Sequence, residues 1–188
     1  MYITEYPEAL SIEFCNQLID KFEKDSRKVQ GVVGGGYRPE VKQSEDLHIT
    51  QMPEYQEEDR VLYESLSPRL TEYMEEHWGA ISHSAEDITD SGYQIQKTVP
   101  GGFYTWHHDG MIQADGTLLR EITYIWYLNT VEEGGETEFK TGEKIKPEAG
   151  KLILFPAVWP YGHRGVTPIS GDKYICTGWV YSRINSIG

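Results

Sequence analysis

The sequence predicts a mainly β jelly roll buttressed by N-terminal α-helices, and three observations carry that expectation. Apolar residues recur every three or four positions only in the first part of the chain. From about residue 90 the texture changes to short β-rich runs separated mostly by Gly, Pro, Asn and Asp. The length of 188 residues, with 38% hydrophobic and 25% charged residues, suits one globular domain with a packed core. The expected organisation is therefore a single domain over 1–188, with helix-rich support over 1–90 and a β core over 91–183.

Taken in order, Ile12, Cys15, Leu18, Ile19 and Phe22 mark one face of a helix reaching about residue 25. Ser11 is placed to cap it, because a hydroxyl just ahead of the first turn can accept an otherwise unsatisfied backbone N–H. Residues 31–45 hold four glycines and a proline and read as a loop. The run Gly31-Val-Val-Gly-Gly-Gly lacks the Lys-Ser/Thr of a phosphate loop, so mobility is the expectation there. Residues 46–50 suggest a strand. A second helical pattern runs over 54–77 through Tyr55, Leu62, Leu66, Leu70 and Tyr73. Pro68 interrupts it, predicting a kink or two short helices. Seven strands are then expected at 93–98, 104–108, 121–128, 137–140, 152–155, 164–167 and 173–181.

Composition narrows the functional classes. With 17 basic and 30 acidic residues the formal net charge is −13, which repels phosphate backbones and argues against nucleic acid as a partner. The N-terminus lacks the basic start and apolar run of a signal peptide, and no stretch reaches the ~18 apolar residues that span a bilayer. A soluble cytoplasmic protein without a membrane partner is expected. Cys15 and Cys176 suggest no disulfide framework and read as two reduced, partly buried thiols.

Of the six histidines, only His107 is followed two positions later by an acid, Asp109. With 30 acids in 188 residues, about one such pair is expected by chance. Geometry strengthens it: residues i and i+2 of a strand face the same side, so both side chains can reach one ion while His108 points away. His163, at another expected strand edge, can complete two imidazoles and one carboxylate. That facial set suits non-haem Fe(II) and leaves coordination positions open. His48, His77, His83 and His108 read as ordinary surface or core imidazoles.

At these residues the chain resembles a known family, the Fe(II)- and 2-oxoglutarate-dependent dioxygenases, in their prolyl 4-hydroxylase-like branch. The family's Tyr-x-x-Gly-x-x-Tyr-x-x-His-x-Asp is matched from Gly101 through Tyr104 and His107 to Asp109, with Thr98 in place of the leading Tyr. Arg120, Thr123, Tyr127 and Asn129 match Arg-x-x-Thr-x-x-x-Tyr-Leu-Asn. Gly134-Gly-Glu-Thr-Glu-Phe139 and Pro147-Glu-Ala-Gly150-Lys-Leu-Ile-Leu-Phe155 follow in the family's order. Lys173 stands ten residues after His163, the spacing of the cation that grips the co-substrate.

The resemblance implies a double-stranded β-helix with iron at its open end, held by His107, Asp109 and His163. It implies that 2-oxoglutarate chelates the metal and pairs through its distal carboxylate with Lys173. Tyr127 is the expected second contact to that carboxylate, Thr123 lines the same wall, and Trp179 covers the pocket. The chemistry implied is hydroxylation by O2 with conversion of 2-oxoglutarate to succinate and CO2; a need for ascorbate and the oligomeric state stay open. Loss of the family Tyr at 98 is compensated by Gln94 or Gln96, or by nothing. Residues 31–45 are either a substrate-covering loop or a slack connector. The expected substrate is a prolyl residue in a protein or peptide, with Tyr104, Trp106 and Trp126 as candidates to stack on its ring. The alternatives are the same chemistry on a free amino acid or small metabolite, or a metal-binding jelly-roll module without turnover. A zinc hydrolase could use the same three ligands, but Lys173 has no evident task there.

Overall fold

A computed structural model describes residues 2–78 and 88–184. The first strand, β1 (Thr4–Tyr6), leads into helix α1 (Ile12–Lys24). Ser11 is extended, and its Oγ accepts the Phe14 N–H at 3.1 Å, so the expected cap is in place. Cys15, Leu18 and Phe22 form the helix's fully buried stripe. Two strands, β2 (Val29–Gln30) and β3 (Glu45–His48), then pair antiparallel. The glycine-rich stretch between them folds back on itself: Val33 and Gly36 exchange both backbone hydrogen bonds, at 3.0 and 2.8 Å. Gly36 supplies the positive φ of that reversal, 95°.

Helix α2 (Gln56–Trp78) is one continuous element with Pro68 inside it, not two short helices. The proline removes the donor for the Glu64 carbonyl, but both residues lie on the exposed side, where water can serve. The opposite side buries Leu62, Leu66 and Tyr73. Packing of that side holds the helix through the break.

Nine strands follow: β4 (Ile88–Asp90), β5 (Gln94–Thr98), β6 (Tyr104–His107), β7 (Leu118–Tyr127), β8 (Thr137–Phe139), β9 (Lys144–Ile145), β10 (Leu152–Pro156), β11 (His163–Gly165) and β12 (Lys173–Arg183). They form two antiparallel sheets. The larger runs β1-β10-β7-β12-β5-β3-β2, with β4 also on β12; the smaller runs β6-β11-β8-β9. From β5 to β12 the chain passes back and forth between the two sheets, with β8 and β9 a hairpin within the smaller one, the winding of a jelly roll, here a double-stranded β-helix. All seven predicted strands of the β core are present. The four that were not predicted, β1, β2, β4 and β9, are two or three residues long, too short for a period of two to show.

Alternation along the long strands separates two cores. Tyr124, Trp126, Leu152, Leu154 and Cys176 point to one face, against Leu18, Phe22 and Leu62 of the helices. Ile125, Tyr127, Ile153 and Phe155 point to the other, against Phe139 and Ile145 of the smaller sheet. The second core closes one end of the sandwich. Its other end is the site.

Candidate metal centre and its cavity

The register of the smaller sheet brings the two histidines together. His163 at the head of β11 lies directly opposite His107 at the end of β6. Their ring centroids are 4.2 Å apart. Each ring is held by the backbone two residues earlier: His107 Nδ1 is 2.8 Å from the Thr105 carbonyl, and His163 Nδ1 is 3.1 Å from the Tyr161 carbonyl. A carbonyl only accepts, so both Nδ1 atoms carry the proton and both Nε2 lone pairs face inward. Tyr104 stacks flat on the His107 ring at 3.5 Å. Burial, then the neighbouring His163, pushes the His107 imidazole down to about 4, so its ring is neutral near pH 7.

Asp109 lies beyond β6, which ends at His107, and it nevertheless turns into the same space. His107 Nε2 is 3.6 Å from its Oδ1, and His163 Nε2 is 3.7 Å from its Oδ2. One ligand atom from each of the three lies within 4.8 Å of the others. Neighbouring ligands on an octahedral ion at about 2.1 Å are roughly 3 Å apart, so a small inward movement closes the set on one metal. Thr123 Oγ1 donates to Asp109 Oδ2 at 2.8 Å and so orients the carboxylate. Burial raises the Asp109 carboxyl, but His163, His107 and the Thr123 hydroxyl outweigh it and hold the group below its usual range. The donor set fits a divalent transition ion: two imidazoles with Nε2 turned inward, one carboxylate, and supporting contacts already made.

Around these residues lies a cavity that, together with the solvent space at its mouth, encloses about 670 Å³. Lys173, the first residue of β12, lines it and is only 6% exposed. Among the described residues its ammonium has no salt bridge or hydrogen bond, and the Tyr127 ring centroid is 5.5 Å away. Burial pushes this lysine down to about 8, with Glu136 acting against the shift. A buried cation without a counter-ion is costly, and an entering carboxylate would relieve that cost. Trp179 also lines the cavity, beneath an Arg120 guanidinium 3.7 Å from its ring centroid. Among the described residues its buried indole N–H makes no hydrogen bond of normal length, although it lies near enough to Asp109 to help lower that carboxyl.

Thus His107, Asp109, His163, Thr123, Lys173 and Trp179 surround one space. Tyr127 does not line it. It shares the inward face of β7 with Thr123, but its hydroxyl donates to Thr137 Oγ1 at 2.7 Å, and Thr137 is the residue that reaches the cavity. Thr98 and Gln96 line the wall, while Gln94 sits behind Gln96. Trp126 belongs to the helix-side core and cannot reach a ligand in this cavity. Trp106 faces outward between Lys140 and Arg164. His48 contacts Gln94, His77 packs on Tyr2 and Tyr73, and His108 is exposed; His83 lies outside the described residues. Sequence reasoning missed Lys42, Ser44 and Asp46, which add a buried polar patch to the wall. Their only signal was a lysine in the stretch read as loop, four residues before the aspartate that opens the expected strand at 46–50.

Comparison with known proteins agrees with this geometry. Residues 93–181 match the model of the 2OG-Fe(II) oxygenase superfamily. "Prolyl 4-hydroxylase 13" of Arabidopsis thaliana is 30% identical over 47% of this chain and 42% of its own length. A PKHD-type hydroxylase of Synechococcus sp. (strain CC9605) is 27% identical over 49% of this chain and 42% of its own. The chain therefore spans less than half the length of these curated relatives. A viral collagen prolyl hydroxylase from Paramecium Bursaria Chlorella virus-1, solved as its 2OG complex, superposes with a TM-score of 0.71 at 26% identity, covering 97% of both chains. A Trichoplax adhaerens prolyl hydroxylase, solved with a hypoxia inducible factor peptide fragment, gives 0.75 at 16% identity, over 96% of this chain and 83% of that one, and supports the fold alone. No helix among the described residues is long and apolar enough to cross a membrane.

Proposed function

We propose that this chain is an Fe(II)- and 2-oxoglutarate-dependent dioxygenase that hydroxylates a prolyl residue of a protein or peptide. One observation carries the reading: a convergent His107, Asp109 and His163 set shares its cavity with a buried, unpaired lysine, Lys173. A metal-binding module without turnover, or a hydrolase, has no use for that cation; a dicarboxylate co-substrate does. The prolyl substrate is supported by the names of the relatives and structural neighbours.

In this proposal His107, Asp109 and His163 hold Fe(II), and the bound metal with 2-oxoglutarate supplies the oxidising chemistry, giving succinate and CO2 as co-products. The chain's own part is to orient and to exclude. The Thr105 and Tyr161 carbonyls fix the imidazole tautomers, and Thr123 aims the carboxylate. Lys173 grips the distal carboxylate of 2-oxoglutarate, a charge-assisted contact worth about 1.5–3 kcal/mol. Tyr127 acts through Thr137, presenting that hydroxyl to the same carboxylate. Trp179 covers the metal side, where its indole lies beside Asp109. Nucleic acid is not the substrate of choice for a chain of net charge −13. We place the protein in the cytoplasm, where the buried free thiols Cys15 and Cys176 remain reduced.

The test is direct. Under anaerobic conditions Fe(II) plus 2-oxoglutarate should produce the weak visible charge-transfer band of the chelate. In air, proline-containing peptides should then gain one oxygen by mass. Absence of the band rejects the oxygenase reading. A band accompanied by oxygen gain only in free amino acids or metabolites rejects the peptide substrate.

A further inference from the structure

A second polar patch on the cavity wall takes no part in the metal centre. Lys42 Nζ lies 2.7 Å from Asp46 Oδ2, with the two side chains 6% and 1% exposed. Ser44 Oγ donates to Asp46 Oδ1 at 2.7 Å, and Gln94 Nε2 approaches Asp46 Oδ2 at 3.2 Å. Gln96 Nε2 in turn donates to Gln94 Oε1 at 2.8 Å. Asp46 therefore has both oxygens engaged. Lys42 is not saturated: it has three N–H donors, and Asp46 is its one acceptor among the described residues. The side-chain carbonyl of Gln96 likewise accepts nothing there. Lys42, Ser44 and Gln96 line the same cavity as His107, Asp109 and His163.

The backbone builds this patch deliberately from separate segments. Asp46 and Gln96 are register partners between β3 and β5. Residues 41–43 run along the free edge of β6, where the Thr105 N–H donates to the Val41 carbonyl at 2.9 Å and the Gln43 N–H to the Phe103 carbonyl at 2.9 Å. Lys42 Nζ sits 5.5 Å from the ring centroid of Tyr104, the ring that stacks on His107. The patch is thus one aromatic ring away from the metal ligands. A Cβ at Gly31 would overlap Ser44 Oγ and approach Lys42 Cε and Asp46 Oδ2 at 3.1 and 3.2 Å. Glycine at 31 lets the hairpin close over the cluster.

A fully desolvated ion pair gains little stability over an apolar pair of the same volume. Its charge state indicates another use. The cavity holds two lysines of opposite character: Lys173 has no counter-ion among the described residues, whereas Asp46 neutralises Lys42. A lone cation complements a carboxylate. A neutralised pair with spare N–H donors, next to a free amide carbonyl, complements a neutral group that both accepts and donates. A peptide unit is such a group, and a second carboxylate there would meet the Asp46 charge.

On the hydroxylase reading given above, we propose that Lys42 and Gln96 form the subsite that grips a main-chain amide of the substrate, with Asp46 as the positioning residue. Lys42 donates to a substrate carbonyl and Gln96 Oε1 accepts a substrate N–H. The patch selects an amide-linked residue over the free amino acid.

The experiment measures equilibrium binding to the full chain loaded with Mn(II) and 2-oxoglutarate under argon, so that nothing turns over. The probes are an end-capped oligoproline, free L-proline and N-acetyl-L-proline. The unaltered chain should prefer the capped peptide. Lys42→Met should weaken it by about tenfold or more, the loss of a hydrogen bond from a charged donor, and Lys42→Gln should recover part of that loss. Asp46→Asn leaves Lys42 uncompensated and should shift preference about tenfold towards N-acetyl-L-proline, whose carboxylate then meets a free cation. Should Asp46→Asn melt below the assay temperature, the contrast between Lys42→Met and Lys42→Gln decides alone. Equal peptide binding by Lys42→Met and the unaltered chain, or tighter binding of free L-proline than of capped peptide, overturns the proposal. A chain that takes up neither Mn(II) nor 2-oxoglutarate instead overturns the hydroxylase reading beneath it.

Discussion

Strands β7 and β12 each carry two unlike faces. On the helix side, Tyr124, Trp126, Cys176 and Val180 are buried among apolar groups, and nothing there is chemically reactive: burial pushes the Cys176 thiol well above its usual range. On the cavity side, the same strands present Thr123, Ile125, Lys173, Thr177 and Trp179, with an ammonium that is unpaired among the described residues, a buried indole N–H beside Asp109 and a hydroxyl committed to Asp109. One backbone, read with a period of two, thus separates stability from function. The helix side holds the strands rigid; the cavity side accepts uncompensated polar groups because the other face offsets their cost.

Substitutions on the two faces should therefore fail in different ways. The largest expected effect is that of Asp109→Ala, which removes the only anionic ligand. Uncoupled succinate formation should fall by about a thousandfold or more, while the fold persists by circular dichroism. Trp126→Ala should do the reverse. It empties a fully buried site and should cost about 3–5 kcal/mol in urea unfolding, with activity per folded molecule retained. A Trp126→Ala protein that folds normally yet loses turnover would erase the distinction between the faces.

Lys173→Met sharpens the contrast within a single residue. The 2-oxoglutarate Kd should rise about 10- to 100-fold with the loss of a charge-assisted contact of about 1.5–3 kcal/mol. The ligand-free fold should become no less stable, because an unpaired buried ammonium is replaced by an apolar chain of similar length. The pH dependence follows with its sign. In the free protein burial, opposed by Glu136, brings Lys173 down to about 8 from the ordinary 10.5. Below pH 8 the ammonium is already present and 2-oxoglutarate affinity should be flat on this account. Above it, binding must first recruit a proton, so affinity should drop by up to about tenfold per pH unit. Without ligand the linkage runs the other way: between about 8 and 10.5 the unfolded chain holds more protons at this lysine, so raising pH stabilises the fold. Titration calorimetry across pH 7–10 checks the binding arm, and a slope unchanged in Lys173→Met would remove the lysine from the co-substrate site.

How much of this was visible in the residues depended on which face carried the signal. The long strands, the helix-side core and the His107, Asp109 and His163 set were legible, because their patterns are local or lie in motifs with fixed spacing. Spacing specifies the face but not the depth. Tyr127 does share the inward face of β7 with Thr123, yet it sits at the closed apolar end, and Thr137 reaches the cavity in its place. The Lys42, Ser44 and Asp46 patch was invisible for a further reason. It exists only through the β3–β5 register and the reversal at residues 33–36, and neither leaves a periodic trace in a glycine-rich segment. Pro68 left a kink or two short helices open, and the second fails because the packed apolar face carries the helix through the break.

The smallest predicted effect tests whether the helix side contributes stability alone. Ser11 caps α1 through one hydrogen bond, from the Phe14 N–H, and touches no cavity residue. Ser11→Ala leaves that donor without its side-chain partner and should cost about 1 kcal/mol, within the 0.5–2 kcal/mol range of such caps. Because α1 packs its Leu18 and Phe22 against the reverse face of the sheet, the loss should appear as a lower urea midpoint with an unchanged slope. The Kd for 2-oxoglutarate should stay as it is. If weakening the cap also loosens co-substrate binding, the helix side is shaping the position of Lys173 through β12, and the two faces are coupled rather than divided.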